Sequence, residues 1–176
     1  YAAAGIEIQP KADILEVVEE TKRMIPDDTK EKFWDMFIID SLIGNTDRHN
    51  GNWGFLVDLM THKAEMAPLF DFGSCLLPQA DENVMKRVLT DVKELEARIY
   101  LFPQSALKKN GVKISYVDFV RENRMGCLSR SVEKIIPRID IDAINSFIDT
   151  VPLLTDIQRE FYKYYVEARF KVLFNS

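Results

Sequence analysis

Twelve residues, Ile43-Gly44-Asn45-Thr46-Asp47-Arg48-His49-Asn50-Gly51-Asn52-Trp53-Gly54, leave this chain few ways to fold. They are answered by Leu69-Phe70-Asp71-Phe72-Gly73, which places a second acid nineteen positions after Asn52. An acid, an amide five residues on, and an acid opening Asp-Phe-Gly form the polar set that phosphoryl transfer requires. One carboxylate must orient an attacking hydroxyl and take its proton, and hard oxygen ligands must hold the metal ions that neutralise the nucleotide's phosphates. Asp47, Asn52 and Asp71 suit those roles in order and in spacing. The two motifs can work together only if the intervening chain doubles back. Trp53 to Val57 and Lys63 to Ala67 are short apolar-rich runs around a polar turn, which predicts a hairpin returning Asn52 and Asp71 to the same end.

Each motif alone has a plainer reading. Asn50-Gly51 is a strong turn dipeptide, so Asp47 to Asn52 could be a polar loop bonded to its own backbone. An Asp followed shortly by Gly describes many turns. Order, spacing and a convincing helix upstream favour the catalytic reading. Arg48 could be a structural ion-pair partner, and His49 either a phosphate contact of the catalytic set or a hydrogen-bonding histidine of the interior. Trp53 and Phe72 are expected in the core, and Ser74 is expected to be a turn residue.

The helix upstream starts near Asp28, with Glu31 at capping-box spacing, and carries Phe33, Trp34, Phe37, Ile38 and Leu42 on one apolar face. It runs directly into the motif, so its buried face would anchor the loop. An earlier helix is expected from Pro10 through Ile14, Leu15, Val18, Thr21 and Ile25, stopped by Pro26. Residues 74–80 are too short and interrupted to form an element. Helical spacing resumes from Ala80, with Lys93 to Arg98 as a solvated face. Phe102-Pro103 and Asn110-Gly111 punctuate a loop-rich passage. Short helices are expected over Ser115–Asn123, Ser129–Ile136 and after a cap at Asp140 or Asp142, and a long final helix is capped by Thr155 with Gln158. The chain thus reads as one mostly α (α+β) domain, 1–176, a helical bundle around a small hairpin.

Composition excludes several alternatives. A chain of 176 residues can bury roughly 70% of its unfolded surface without a disulfide framework. Cys75 and Cys127 form no metal-binding spacing with the two histidines, which argues against zinc, and free thiols fit a reducing cytoplasm. No run approaches the ~20 apolar residues of a membrane span. A net charge of −5 argues against broad nucleic-acid binding.

The same residues, Ile43 to Gly54 followed by Ala67-Pro68-Leu69-Phe70-Asp71-Phe72-Gly73-Ser74, resemble the C-terminal lobe of HipA-like serine/threonine kinases, the toxin kinases of bacterial toxin–antitoxin systems and their relatives. The resemblance runs from Pro10 to the end, by motif in the first half and by helical character in the second. It implies Asp47 as catalytic base and Asn52 and Asp71 as ligands of Mg²⁺, or Mn²⁺ in its place, with ATP as phosphoryl donor; His49 joins the catalytic set through the Asp-Arg-His-x-x-Asn signature that resembles phosphoinositide-type lipid kinases. It further implies a protein substrate, an N-terminal partner lobe, and a DNA-binding antitoxin as partner. A glycine-rich phosphate loop and a strand-borne lysine are missing here; both belong to that N-terminal lobe, so the piece alone is expected to be weakly active. The alternatives are a phosphoinositide-type lipid kinase, disfavoured because residues 74–82 offer no basic cluster for a phosphorylated head group, and a non-catalytic kinase-like binding module.

Overall fold

The computed structural model describes residues 27–58 and 63–174. The helix expected from Pro10 to Ile25 and the hairpin turn at 59–62 lie outside the described residues, as does the side chain of the expected cap Asp28. The first described element, α1 (Asp27–Ile43), is the expected helix into the motif. Phe33, Trp34, Phe37, Ile38 and Leu42 are all buried, and Met36 joins them. Each apolar side chain buried this way contributes on the order of 2 kcal/mol. Phe33, Trp34 and Phe37 meet Trp53 and Phe119 mostly edge-on at 5.1–5.9 Å, which fixes the rotation of α1 about its axis. Trp53 is in the core, as expected.

The expected hairpin is present as β1 (Phe55–Asp58) and β2 (Lys63–Met66), antiparallel with Phe55 opposite Met66. The backbone N–H of Ala67 bonds the Gly54 carbonyl at 2.8 Å, closing the end that carries the motifs. Then come α2 (Glu82–Thr90), capped by Asp81, and α3 (Val92–Glu96), capped by Asp91. A single π-helical turn, Ala97–Leu101, follows. The passage read as loop-rich is instead a second hairpin, β3 (Gln104–Lys109) and β4 (Val112–Ser115). Its two-residue turn is Asn110-Gly111, both at positive φ (52° and 77°), the backbone that a tight hairpin of this hand demands.

The helices α4 (Tyr116–Asn123), α5 (Ser129–Ile135), α6 (Ile141–Thr150) and α7 (Asp156–Phe174) complete the described chain, with a 3₁₀ turn at Ile136–Arg138. Ser115 caps α4 and Asp140 caps α6, while Thr155 and Gln158 close the reciprocal box at the start of α7 (2.9 and 3.3 Å). The main core gathers α1, both hairpins, α4 and the end of α7. A second cluster joins Leu77, Met85, Val88, Phe161 and Tyr165, so the segment after Asp-Phe-Gly is pinned between α2 and α7.

The C-terminal end of α1 needs help, because it has no basic residue in its last turn to meet the negative pole of the helix. Arg169 of α7 supplies the charge from 128 residues away. Its Nε lies 3.1 Å from the Ser41 carbonyl and 3.0 Å from that of Leu42, and Nη2 also donates to Ser41. Gly44 then turns the chain at φ +66°. A Cβ there would sit 2.6 Å from Pro103 Cγ, so only glycine lets the loop leave α1 at this point. Among the described residues no helix is long and apolar enough to cross a membrane.

Candidate active site

The loop after Gly44 folds on itself before it meets anything else. Asn45 is fully buried, and its Nδ2 donates to Asp40 Oδ1 (2.9 Å) while its Oδ1 accepts from the Asp47 backbone N–H (3.0 Å). The N–H of His49 bonds the Asp47 carbonyl (2.8 Å) and that of Asn52 bonds the His49 carbonyl (2.9 Å). Asn52 Nδ2 closes the loop, donating to the Asp47 carbonyl at 2.8 Å and lying 3.5 Å from Asp47 Oδ2. Because an amide is planar, committing its nitrogen to Asp47 turns its oxygen to the opposite side. Asp47 and Asn52 are thereby brought together as the sequence predicts, with the Asp47 carboxylate about half exposed (52%).

His49 is not interior. It is partly buried, its Nδ1 accepts from the Gly51 N–H (2.9 Å), and its Nε2 stands 3.8 Å from Asp47 Oδ1. It shapes the turn and flanks the carboxylate.

Arg48 joins this loop to the second motif. It is almost wholly buried, and its guanidinium grips Asp40 through Nε (2.8 Å) and Nη2 (3.1 Å). Nη1 reaches two carbonyls at once, those of Asn52 (2.5 Å) and Phe70 (2.6 Å). The first belongs to one expected metal ligand and the second precedes the other, Asp71. The planar five-donor fork of arginine is what makes such a three-way tie possible. Phe72, expected in the core, is 40% exposed, with the Arg48 guanidinium 4.9 Å from its ring centre. The Thr46 N–H and hydroxyl both point to the Ser74 carbonyl (3.4 Å), and the Leu76 N–H bonds the Ile43 carbonyl (2.8 Å), so the segment after Asp71 is stitched to the loop as well.

Asp40 is the residue that sequence reasoning missed. Burial pushes its carboxyl pKa up, while Arg48 first and Asn45 after it pull the other way. Its signal was an acid on the apolar side of a helix, three residues after Phe37, where only a buried partner makes an acid tolerable. Backbone strain gathers nearby: Asp71, Leu76 and Leu77 all take left-handed φ of 56–57°. Each costs on the order of 1–3 kcal/mol, a cost met at functional sites by surrounding contacts, here the burial of Leu77.

Among the described residues no group of three or more His, Cys, Asp or Glu side chains could hold a metal ion. Asn52 and Asp71 fit a different design, in which two protein oxygens leave the remaining positions of a hard cation to phosphate and water.

The electrostatics of the site bear on Cys75. Burial first, then the Asp40 and Asp71 carboxylates, push its thiol up to about 12, with Arg48 opposing. About one thiol in ten thousand is then ionised at pH 8. With Cys127 replaced by Ser, iodoacetamide is expected to alkylate Cys75 slowly at pH 8, with a rate still climbing beyond pH 10. A rate that levels off near pH 9 would contradict this environment.

Three comparisons bear on the site. A family model described as HipA-like C-terminal domain matches residues 3–145. The serine/threonine-protein kinase CtkA of Helicobacter pylori (strain J99) is 46% identical over 159 residues, covering 89% of this chain and 49% of CtkA. The crystal structure of an H. pylori proinflammatory kinase CtkA matches with a TM-score of 0.90 at 38% identity, covering 99% of this chain and 65% of that one. The chain spans about half the length of its curated relative.

Proposed function

The chain belongs to the HipA-like C-terminal domain family, and from that premise we propose that it is the catalytic and metal-binding lobe of an ATP-dependent serine/threonine protein kinase. The observation that carries this reading is the Arg48 tie, which holds the Asn52 and Phe70 carbonyls on one nitrogen and so sets two sequence-distant motifs side by side.

In this reading Asp47 orients the acceptor hydroxyl and takes its proton, which its half-exposed carboxylate allows. Asn52, through its amide oxygen, and Asp71 would hold the divalent metal, which would supply the positive charge that neutralises the phosphates of ATP. Arg48 and Asp40 keep the two ligands at fixed separation, and His49 lines the acceptor side of Asp47. The remaining nucleotide clamp, a glycine-rich loop and a strand-borne lysine, belongs to a lobe beyond this lobe, and the isolated 176 residues turn over slowly without it.

The test is to incubate the full-length protein with γ-labelled ATP and Mg²⁺, supplying a protein mixture in one arm and phosphoinositide vesicles in another. Label recovered as phosphoserine or phosphothreonine supports the proposal. Label in lipid alone makes the protein a lipid kinase. Absence of both transfer and Mg²⁺-dependent ATP binding makes the lobe a binding module.

A further inference from the structure

We propose that Tyr116, at the start of α4, is a positioning residue for phosphoryl transfer: its buried hydroxyl holds Asn45, and Asn45 sets the backbone of Asp47. The inference rests on the kinase reading above and adds to it a brace from the second half of the chain, 71 residues away. The Tyr116 hydroxyl donates to the Asn45 carbonyl at 2.5 Å. Every other polar group of Asn45 is also committed. Its N–H bonds the Asp40 carbonyl (3.0 Å), its Nδ2 bonds Asp40 Oδ1, and its Oδ1 receives the Asp47 N–H. Asn45 is therefore a fully fixed relay, and the Asp47 backbone hangs from it.

The tyrosine is fixed in turn. It is 1% exposed, with its ring 5.4 Å from that of Phe37. Ser105 of β3 hydrogen-bonds its hydroxyl and also accepts from the Leu107 N–H (3.1 Å). Burial drives the phenol pKa far above its usual range, so the hydroxyl remains a donor at every pH at which the protein works. The chain of bonds from β3 through Ser105, Tyr116 and Asn45 to Asp47 makes the second hairpin a support of the first motif. Hydrogen bonds linked in series hold direction better than isolated ones.

Tyr116→Phe removes one oxygen and keeps the ring. It leaves the Asn45 carbonyl buried without its donor, which frees the loop to reorient. In the full-length protein, kcat is expected to fall about ten- to hundred-fold, with the KM for ATP changed by less than about two-fold, because the carboxylate and not the nucleotide site is displaced. Amide exchange across residues 43–52 should speed up at least about ten-fold. Ile148→Ala, a cavity on α6 at a buried side chain outside both core clusters, controls for lost stability: it lowers Tm and leaves kcat and the 43–52 exchange as they were.

If Tyr116→Phe keeps the wild-type kcat, or slows only as much as Ile148→Ala does, the positioning role is wrong. A wild-type protein that transfers no phosphate overturns the kinase reading instead. Exchange then decides the brace by itself: unchanged protection at 43–52 in Tyr116→Phe removes it, and lost protection upholds it.

Discussion

Replacing Asp47 with Ala is expected to reduce phosphoryl transfer by the full-length protein about 10²- to 10⁴-fold while leaving the fold and ATP binding intact. The loop that carries Asp47 is defined by backbone atoms the substitution keeps. The Asp47 N–H still reaches Asn45 Oδ1, and its carbonyl still accepts from Asn52 Nδ2 and from the His49 N–H. What disappears is a half-exposed carboxylate with two long contacts, to Asn52 at 3.5 Å and His49 at 3.8 Å. Surface groups with such partners are worth within about 0.5 kcal/mol, so thermal unfolding should move by little. A turn whose acid merely bonds its own loop predicts the reverse, with stability lost and transfer retained. The measurement is kcat alongside Tm for the variant and the wild type.

Arg48→Met has the opposite profile. It leaves the buried Asp40 carboxylate without its guanidinium, a loss of about 3–5 kcal/mol, and strands the carbonyls of Asn52 and Phe70. Against a typical total stability of about 5–15 kcal/mol that is a large fraction, and transfer should vanish as well. Folding and function separate in the double variant Asp40→Leu/Arg48→Met. An apolar pair of similar size can recover the stability lost to an orphaned charge. It cannot tie Asn52 to Phe70, and it leaves those carbonyls and Asn45 Nδ2 without partners, so the double variant should recover only part of the lost stability and remain inactive. Arg48→Lys should also fail, since a single ammonium cannot span Asp40 and two carbonyls. Denaturant midpoints with transfer rates decide the matter. A double variant with full activity would show that Arg48 serves the fold alone.

Much of the geometry of the candidate site was legible because its residues are local in sequence. Asp47 and Asn52 lie on one tight loop whose spacing is set by the turn they share, and Asp71 follows a hairpin announced by two short apolar runs. The first helix was legible for a similar reason, since Phe33, Trp34, Phe37, Ile38 and Leu42 repeat at helical spacing and all are buried. What stayed hidden is what reaches across the chain. Nothing near Tyr116 or Arg169 says that their polar atoms end on Asn45 and on the last turn of α1. The second hairpin did carry a signal in Asn110-Gly111, but Lys108, Lys109 and Lys113 around it obscure the alternation that Leu107 and Ile114 alone supply. Phe72 was misread because an aromatic beside an acid resembles core. Here a buried arginine lies over its ring, and the rest of that ring faces outward.

The most direct test of the central claim, that Asp47, Asn52 and Asp71 form one phosphoryl-transfer centre, is single-turnover transfer of the γ-phosphate from Mg²⁺-ATP by the full-length protein and its Asp71→Asn variant. Metal-dependent transfer is expected in the wild type, and less than about 1% of it in the variant at any Mg²⁺ concentration. An Asp71→Asn protein that transfers at the wild-type rate, or a folded wild type that binds no Mg²⁺-ATP, would contradict it.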